Sequence, residues 1–276
     1  MSIRWRTLLG VSFGAFLPPL AVSSVAIGLP VIGQSLDLDV TAVQWVAVAY
    51  LLTITSLLVT FGRLGDLISL KRLYVGGFAI FTLGALVCGL SQSLAPLIAG
   101  RVIQGIGGSM MFSVGTAIVT RAFPTSRGLR IGMNAVFTYA GLAVGPLVGA
   151  FLLQAFPWQA LFLFLVPIGI LGVTLALIFL PEVPGRGRRP TFDLTGAGLG
   201  SPALLCLLLA LSRGTNWGWT SAPVLALAAA SVVMGALFIW VERRVEAPLL
   251  ELALFRNRLF SAAIISGLLA YLAIFV

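Results

Sequence analysis

Arg101 stands alone in an apolar run over about 94–120, with Gln104 one turn on and Gly105, Gly107 and Gly108 just beyond. Residues three apart share a helix face, so the cation and the amide point the same way. A charge inside hydrocarbon costs about 2.5–3.5 kcal/mol or more at a helix centre. Such a group either faces a cavity or a polar partner, or snorkels to the membrane surface. Gln104 and the thinning glycines favour a packed, wet interior face. The eight acids are Asp37, Asp39, Asp66, Glu182, Asp193, Glu242, Glu246 and Glu251, and none falls deep in an apolar run. Proton-coupled chemistry in a membrane usually relies on a buried carboxylate or His, and the chain has no His. No nucleophile–base pair and no metal-ligand cluster is present, so enzyme chemistry has no carrier.

Two glycine-rich stretches come next. Gly62-Arg-Leu-Gly65-Asp66-Leu-Ile-Ser69-Leu-Lys71-Arg72 reads as a tight turn between two apolar runs. Asp66 with Lys71 and Arg72 would latch helices through charge pairs; an ordinary basic loop is the alternative. In Gly141-Leu-Ala-Val-Gly145-Pro146-Leu-Val-Gly149-Ala150 the glycines recur every fourth residue and share one helix face. In lipid such a stripe lets a neighbouring backbone approach closely, and Pro146 removes a helical hydrogen bond at that contact and bends the helix. A generic packing stripe is the plainer reading. Pro18, Pro19 and Pro30 in the first apolar run imply a bent or broken helix, either near a transport site or merely kinked. Trp45, Tyr50, Asn134, Phe137 and Tyr139 are candidates to line a cavity. Asn134, Phe137 and Gly141 can share one face, and a mostly apolar cavity suits a lipophilic ligand. Each of these residues serves equally well as packing.

The elements that hold these residues follow from composition. The 276 residues are 59% hydrophobic and 9% charged, against roughly a quarter charged in soluble domains. Apolar runs predict eight complete membrane spans and a ninth that is cut short. They cover about 7–33, 43–62, 73–91, 94–120, 131–156, 158–180, 194–212, 223–241 and 259–276. The basic start followed by a long run reads as an uncleaved first helix. Cys88 and Cys206 lie in apolar runs as buried small residues. Placing the N-terminus in the cytoplasm puts every one of the 17 Lys and Arg inside except Arg213, which is outside, and Arg101, which is within a span. The positive-inside rule thus fixes orientation. The net charge of +9 is a topology signal that excludes a nucleic-acid role, and anionic lipid is the natural partner of the basic loops.

Taken together, these motifs resemble the major facilitator superfamily. Gly62–Arg72 is similar to its signature between helices two and three. Arg101, Gln104 and Gly105 are similar to the arginine motif of helix four, and Gly141–Ala150 to the antiporter signature of helix five. Phe123-Pro124 with Arg127, Trp158 with Phe162, Val166-Pro167-Ile-Gly169, Phe192-Asp193, Gly214 with Gly218-Trp219, and Pro248-Leu-Leu with Leu254–Arg258 resemble the 14-helix drug:proton antiporter branch. The resemblance implies an all-α polytopic membrane protein. Residues 1–182 would form an N-terminal six-helix bundle. Residues 183–241 would supply a cytoplasmic linker and two extra helices, and residues 242–276 would begin an incomplete second bundle. Ala21 stands where that branch usually has Asp, Ala26 where it has Asn, and Ser69, Leu70, Gln159 and Leu165 also depart from its pattern.

The resemblance implies an inner-membrane carrier that exports lipophilic or cationic compounds in exchange for protons, by rocking of two halves. It needs no cofactor beyond the proton gradient. Gly62, Gly65, Asp66, Lys71 and Arg72 would gate the cytoplasmic side. Arg101 with Gln104 would shape the field of the cavity or relay protons. Gly141, Gly145, Pro146 and Gly149 would seal one conformation, and Trp45, Tyr50, Asn134 and Phe137 would meet substrate. Two other readings stand: a metabolite facilitator or exporter without proton coupling, and a truncated half-carrier that lacks the half it must rock against.

Overall fold

The computed structural model describes residues 3–122, 127–182, 193–245, 248–250, 254 and 256–275. Phe123, Pro124, Arg186, Arg188, Arg189, Phe192, Glu246, Glu251, Phe255 and Val276 lie outside the described residues, as do the side chains of Arg4, Arg6, Arg127 and Arg130. Among the described residues every regular element is helical: α1 (Ile3–Ser35), α2 (Val40–Leu67), α3 (Leu70–Gly89), α4 (Leu94–Ala122), α5 (Arg127–Ala155), α6 (Ala160–Leu163), α7 (Leu165–Phe179), α8 (Leu194–Trp217), α9 (Ala222–Glu242) and α10 (Arg258–Phe275). Among the described residues eight stretches are long and apolar enough to cross a membrane, with α6 and α7 together forming one, Ala160–Phe179. In lipid every backbone polar group must be satisfied within the protein, and a continuous helix achieves that locally. The chain is an all-α polytopic membrane protein.

Short polar residues set the helix starts. Asp39 accepts the amide of Ala42 at 2.8 Å and caps α2, and Ser69 caps α3 through the amide of Arg72. Asp193 caps α8 through Gly196 at 2.8 Å. Each cap satisfies one of the otherwise unpaired first-turn donors.

The helices form two compact units, Met1–Arg189 and Pro190–Val276. In the first, α2 and α4 run parallel: Val46 meets Arg101 and Asp66 meets Arg121. α3 runs antiparallel to α4, with Gly77 against the carbonyl of Gly107 and Gly84 against Gln104. α1 and α5 run parallel, with Phe16 at Gly141 and Ser24 at Gly149. One buried cluster gathers Leu17, Tyr50, Tyr74, Phe78, Phe81 and Met111. A second gathers Ile32, Val46, Cys88, Leu97, Trp158 and Phe162.

Of the two outcomes expected for the first run, bent or broken, the break is ruled out. α1 is one unbroken helix although Pro18, Pro19 and Pro30 lie inside it. Its backbone is held on several flanks: the Tyr74 hydroxyl donates to the Val11 carbonyl at 2.8 Å, and Ser23 Oγ donates to the Pro19 carbonyl at 2.9 Å. Likewise α5 runs unbroken through Pro146.

In the second unit α8 and α9 pack together, with Gly200 against Phe238, and Gly214 of α8 lies against Trp219 of the turn between them. The turn between them needs Gly218, whose φ is +86°. Glu242 is buried and accepts the amides of Leu249 and Leu250 at 3.1 and 3.2 Å. The Pro248-Leu-Leu segment is thus held by a carboxylate at the end of α9. Cys206 is only half-buried, unlike Cys88.

Candidate functional site

The centre of the first unit is Arg101, 1% exposed. Its Nε donates to the Val46 carbonyl and its Nη1 to Gln104 Oε1, both at 2.7 Å. The guanidinium lies over the Tyr50 ring, 4.1 Å from its centroid, and 5.8 Å from that of Phe162. The snorkelling alternative is therefore overturned: the guanidinium is turned into the protein and buried there. Glycines make the burial possible. A Cβ on Gly105 would lie 2.7 Å from Thr53 Cβ and 3.0 Å from the Tyr50 carbonyl; one on Gly108 would lie 2.9 Å from Ile54. Bare backbone there lets α2 come close enough for Arg101 to reach Val46. Among the described residues no carboxylate is ion-paired with Arg101. Its charge rests on neutral acceptors and ring faces, which stabilise a desolvated cation by about 2 kcal/mol or more per good ring. Such an arrangement holds a fixed positive charge and ties α2, α4 and α6 together.

This centre is physically continuous with the other motifs. The Tyr50 hydroxyl donates to the Pro18 carbonyl at 3.4 Å. One residue on, the Ser23 hydroxyl shares its single proton between the Pro19 carbonyl at 2.9 Å and the Gly141 carbonyl at 3.2 Å. The α5 glycines are seated on that same stretch of α1. A Cβ on Gly149 would lie 2.8 Å from the Ser24 carbonyl oxygen, and one on Gly145 would lie 2.9 Å from the Ser24 amide and run into Ser23 Oγ. The proline-rich segment and the glycine stripe are two sides of one contact.

The signature between α2 and α3 is arranged differently from expectation. Gly62, Gly65 and Asp66 belong to the last turns of α2, so the turn itself is only Ile68-Ser69. Gly65 is buried, and a Cβ there would lie 2.5 Å from Val114. Asp66 pairs with Arg121 of α4 at 2.8 Å, rather than with Lys71 or Arg72. Lys71 donates instead to the Leu177 carbonyl at 2.8 Å, beside the open end of α7, where a cation is favoured by the helix dipole. Arg72 is exposed. The Asp66–Arg121 pair is part-exposed, so its coupling is worth about 0.2–1 kcal/mol. In a thermal-unfolding series, Asp66→Arg and Arg121→Asp should each lose stability and the charge-swapped double variant should recover most of it. A double variant that merely adds the two losses would remove the pair from any role.

The four residues expected to meet substrate do not converge. Tyr50 is fully buried and reserved for Arg101, and Trp45 is half-buried on α2. Asn134 lines a small recess of about 20 Å³ with Val11, Met111, Gly115 and Thr116. Phe137 lines a separate apolar crevice of about 480 Å³, together with Leu9, Phe13 and Phe16 of α1, Ala140 of α5, and Leu175 and Phe179 of α7. Arg121, Ser23 and Leu177 were not singled out from the sequence. Arg121 had looked like one more end-of-span cation, and the Ser23 and Leu177 roles depend on which helices touch.

Comparison with known proteins bears on this architecture. Residues 11–276 match the Major Facilitator Superfamily. The riboflavin transporter RibZ of Clostridioides difficile is 32% identical over 98% of this chain and 58% of its own length. The tetracenomycin C resistance and export protein of Streptomyces glaucescens is 34% identical over 94% of this chain and 48% of its own. The methylenomycin A resistance protein of Bacillus subtilis is 33% identical over 97% and 58%. The chain thus spans roughly half to three-fifths of the length of these relatives. Human MFSD10, an organic anion transporter, shares the fold at a TM-score of 0.57 and 18% identity, over 82% of this chain and 60% of its own. With the family matched along nearly its whole length, this integral membrane protein belongs to the major facilitator superfamily.

Proposed function

We propose that the chain supplies the first helical bundle and the two following helices of a 14-helix exporter of lipophilic or cationic compounds, working by proton exchange and alternating access. In this reading residues 1–182 are the moving bundle, 183–241 the linker with its two helices, and 242–276 the approach to a second bundle. The N-terminus and the Asp66–Arg121 and Lys71–Leu177 contacts lie on the cytoplasmic side of the inner membrane, where they latch the gate. The observation that carries the reading is the seating of Gly141, Gly145 and Gly149 on the α1 backbone at Phe16–Ser24. A backbone-to-backbone seam of this kind closes one conformation tightly, as an exchanger requires to avoid leaking. Two relatives, named for resistance to tetracenomycin C and to methylenomycin A, lend the cargo class its support.

A second reading keeps the fold and drops the proton. Two observations favour it: the absence of an acid deep in any span, with Ala21 in place of the branch's usual Asp, and a relative named for riboflavin. Flux of a lipophilic cationic dye separates the two, measured in vesicles holding the chain joined to a second bundle. Under exchange, an uncoupler should abolish uphill dye movement. Dye movement that continues at full rate with the gradient collapsed would remove proton exchange and leave the facilitator.

A further inference from the structure

The crevice between α1, α5 and α7 has features that the transport reading does not use. Every side chain that lines it is hydrocarbon, and four are phenylalanines. Pockets for drug-sized ligands add a few placed polar groups that fix orientation; this one has none to offer. It begins where the helices meet the membrane surface, since Leu9 lies two residues into the first span and Phe179 closes α7. From Leu9 it runs to Phe16, about 10 Å at ~1.5 Å per residue. One leaflet of a ~30 Å hydrocarbon core is ~15 Å deep. Its neighbours on the same helices, Val136 and Tyr139 on α5 and Leu171 and Ile178 on α7, are large and exposed.

We infer that the crevice is a binding site for one acyl chain of a bilayer phospholipid, entering from the leaflet at the end where α1 begins. Length, depth and the absence of polar groups all match a hydrocarbon tail whose head group stays at the surface. The occupant packs on Phe16, whose carbonyl faces Gly141, and so supports the α1–α5 seam from behind.

The test uses the chain in phosphatidylcholine vesicles doped with phosphatidylcholine carrying a diazirine in one acyl chain, followed by irradiation and peptide mapping. Adducts should concentrate on Phe13, Phe16 and Phe137 above the level at Val136 and Ile178. Ala140→Trp, which fills the crevice, should abolish the first set and spare the second. Leu175→Trp does the same from the opposite wall and serves if the first variant fails to reach the membrane. Crevice adducts no more frequent than those on Val136, or unchanged by both tryptophans, would overturn the assignment. So would their loss on adding tetraphenylphosphonium, which would make the crevice a substrate site.

Discussion

Gly84→Ala is expected to destabilise the first bundle sharply, while Gly132→Ala leaves it unchanged or slightly more stable. Both glycines are interior to membrane helices, and in isolation Ala is the better helix former by roughly 0.5–1 kcal/mol. Their surroundings reverse the sign at one of them. A methyl group on Gly132 meets nothing within 4 Å. One on Gly84 would lie 2.6 Å from the Cα of Gln104 and nearer still to its amide nitrogen. Those are backbone atoms, which cannot rotate aside, so α3 and α4 must separate. The seam is glycine-built along its length: a Cβ on Gly77 would lie 2.9 Å from the Gly107 carbonyl, and one on Gly100 would lie 2.9 Å from the Cys88 amide. Lipid tails are as apolar as the helix faces, so association rests on close packing rather than on water exclusion. Overpacking typically costs about 1–3 kcal/mol and occasionally more, against a total of about 5–15 kcal/mol for a folded domain. Thermal unfolding of the purified variants in one detergent measures the contrast. Equal effects of the two substitutions would refute the seam as the reason for glycine at 84.

How much of this was legible in the sequence depends on the range of the physics. The spans follow from local hydropathy and from the bunching of Lys and Arg between runs, so eight of them sit close to where the pattern put them. The close approach at Gly141, Gly145 and Gly149 was legible too, because spacing alone places them on one face. Its partner was not, since nothing local says that α1 lies along that face. The same ignorance misled the reading of Asn134 and Phe137. They do sit near each other on α5, yet Asn134 opens on a recess with α4 and Phe137 on a crevice with α7. Asp66 was paired with its sequence neighbours Lys71 and Arg72, whereas its partner is Arg121, brought alongside by the parallel packing of α2 and α4. Tyr50 looked like a cavity lining because aromatic residues in spans often are; only the path of Arg101 shows what it covers.

Arg101→Met is expected to abolish export by a complete carrier and to cost the bundle about 1–3 kcal/mol, the penalty for leaving a buried polar partner unsatisfied. That partner is Gln104. Its Oε1 would lose the guanidinium at 2.7 Å, and its Nε2 already has no hydrogen-bond partner among the described residues. Val46 is less affected, because its carbonyl lies within α2 and belongs to that helix's own ladder. Arg101→Lys should do little better. An ammonium is a compact charge without the planar fork, so it does not reach Val46 and Gln104 while lying flat over Tyr50. Stability and transport can then be pulled apart. Replacing both partners by apolar groups of similar shape removes the orphaned amide, so Arg101→Met with Gln104→Leu should regain most of the lost stability. If the buried positive charge acts on transport, that double variant stays inactive although it is well folded. If export returns together with stability, Arg101 serves only to bind α2, α4 and α6 to one another, and the coupling charge must be sought elsewhere.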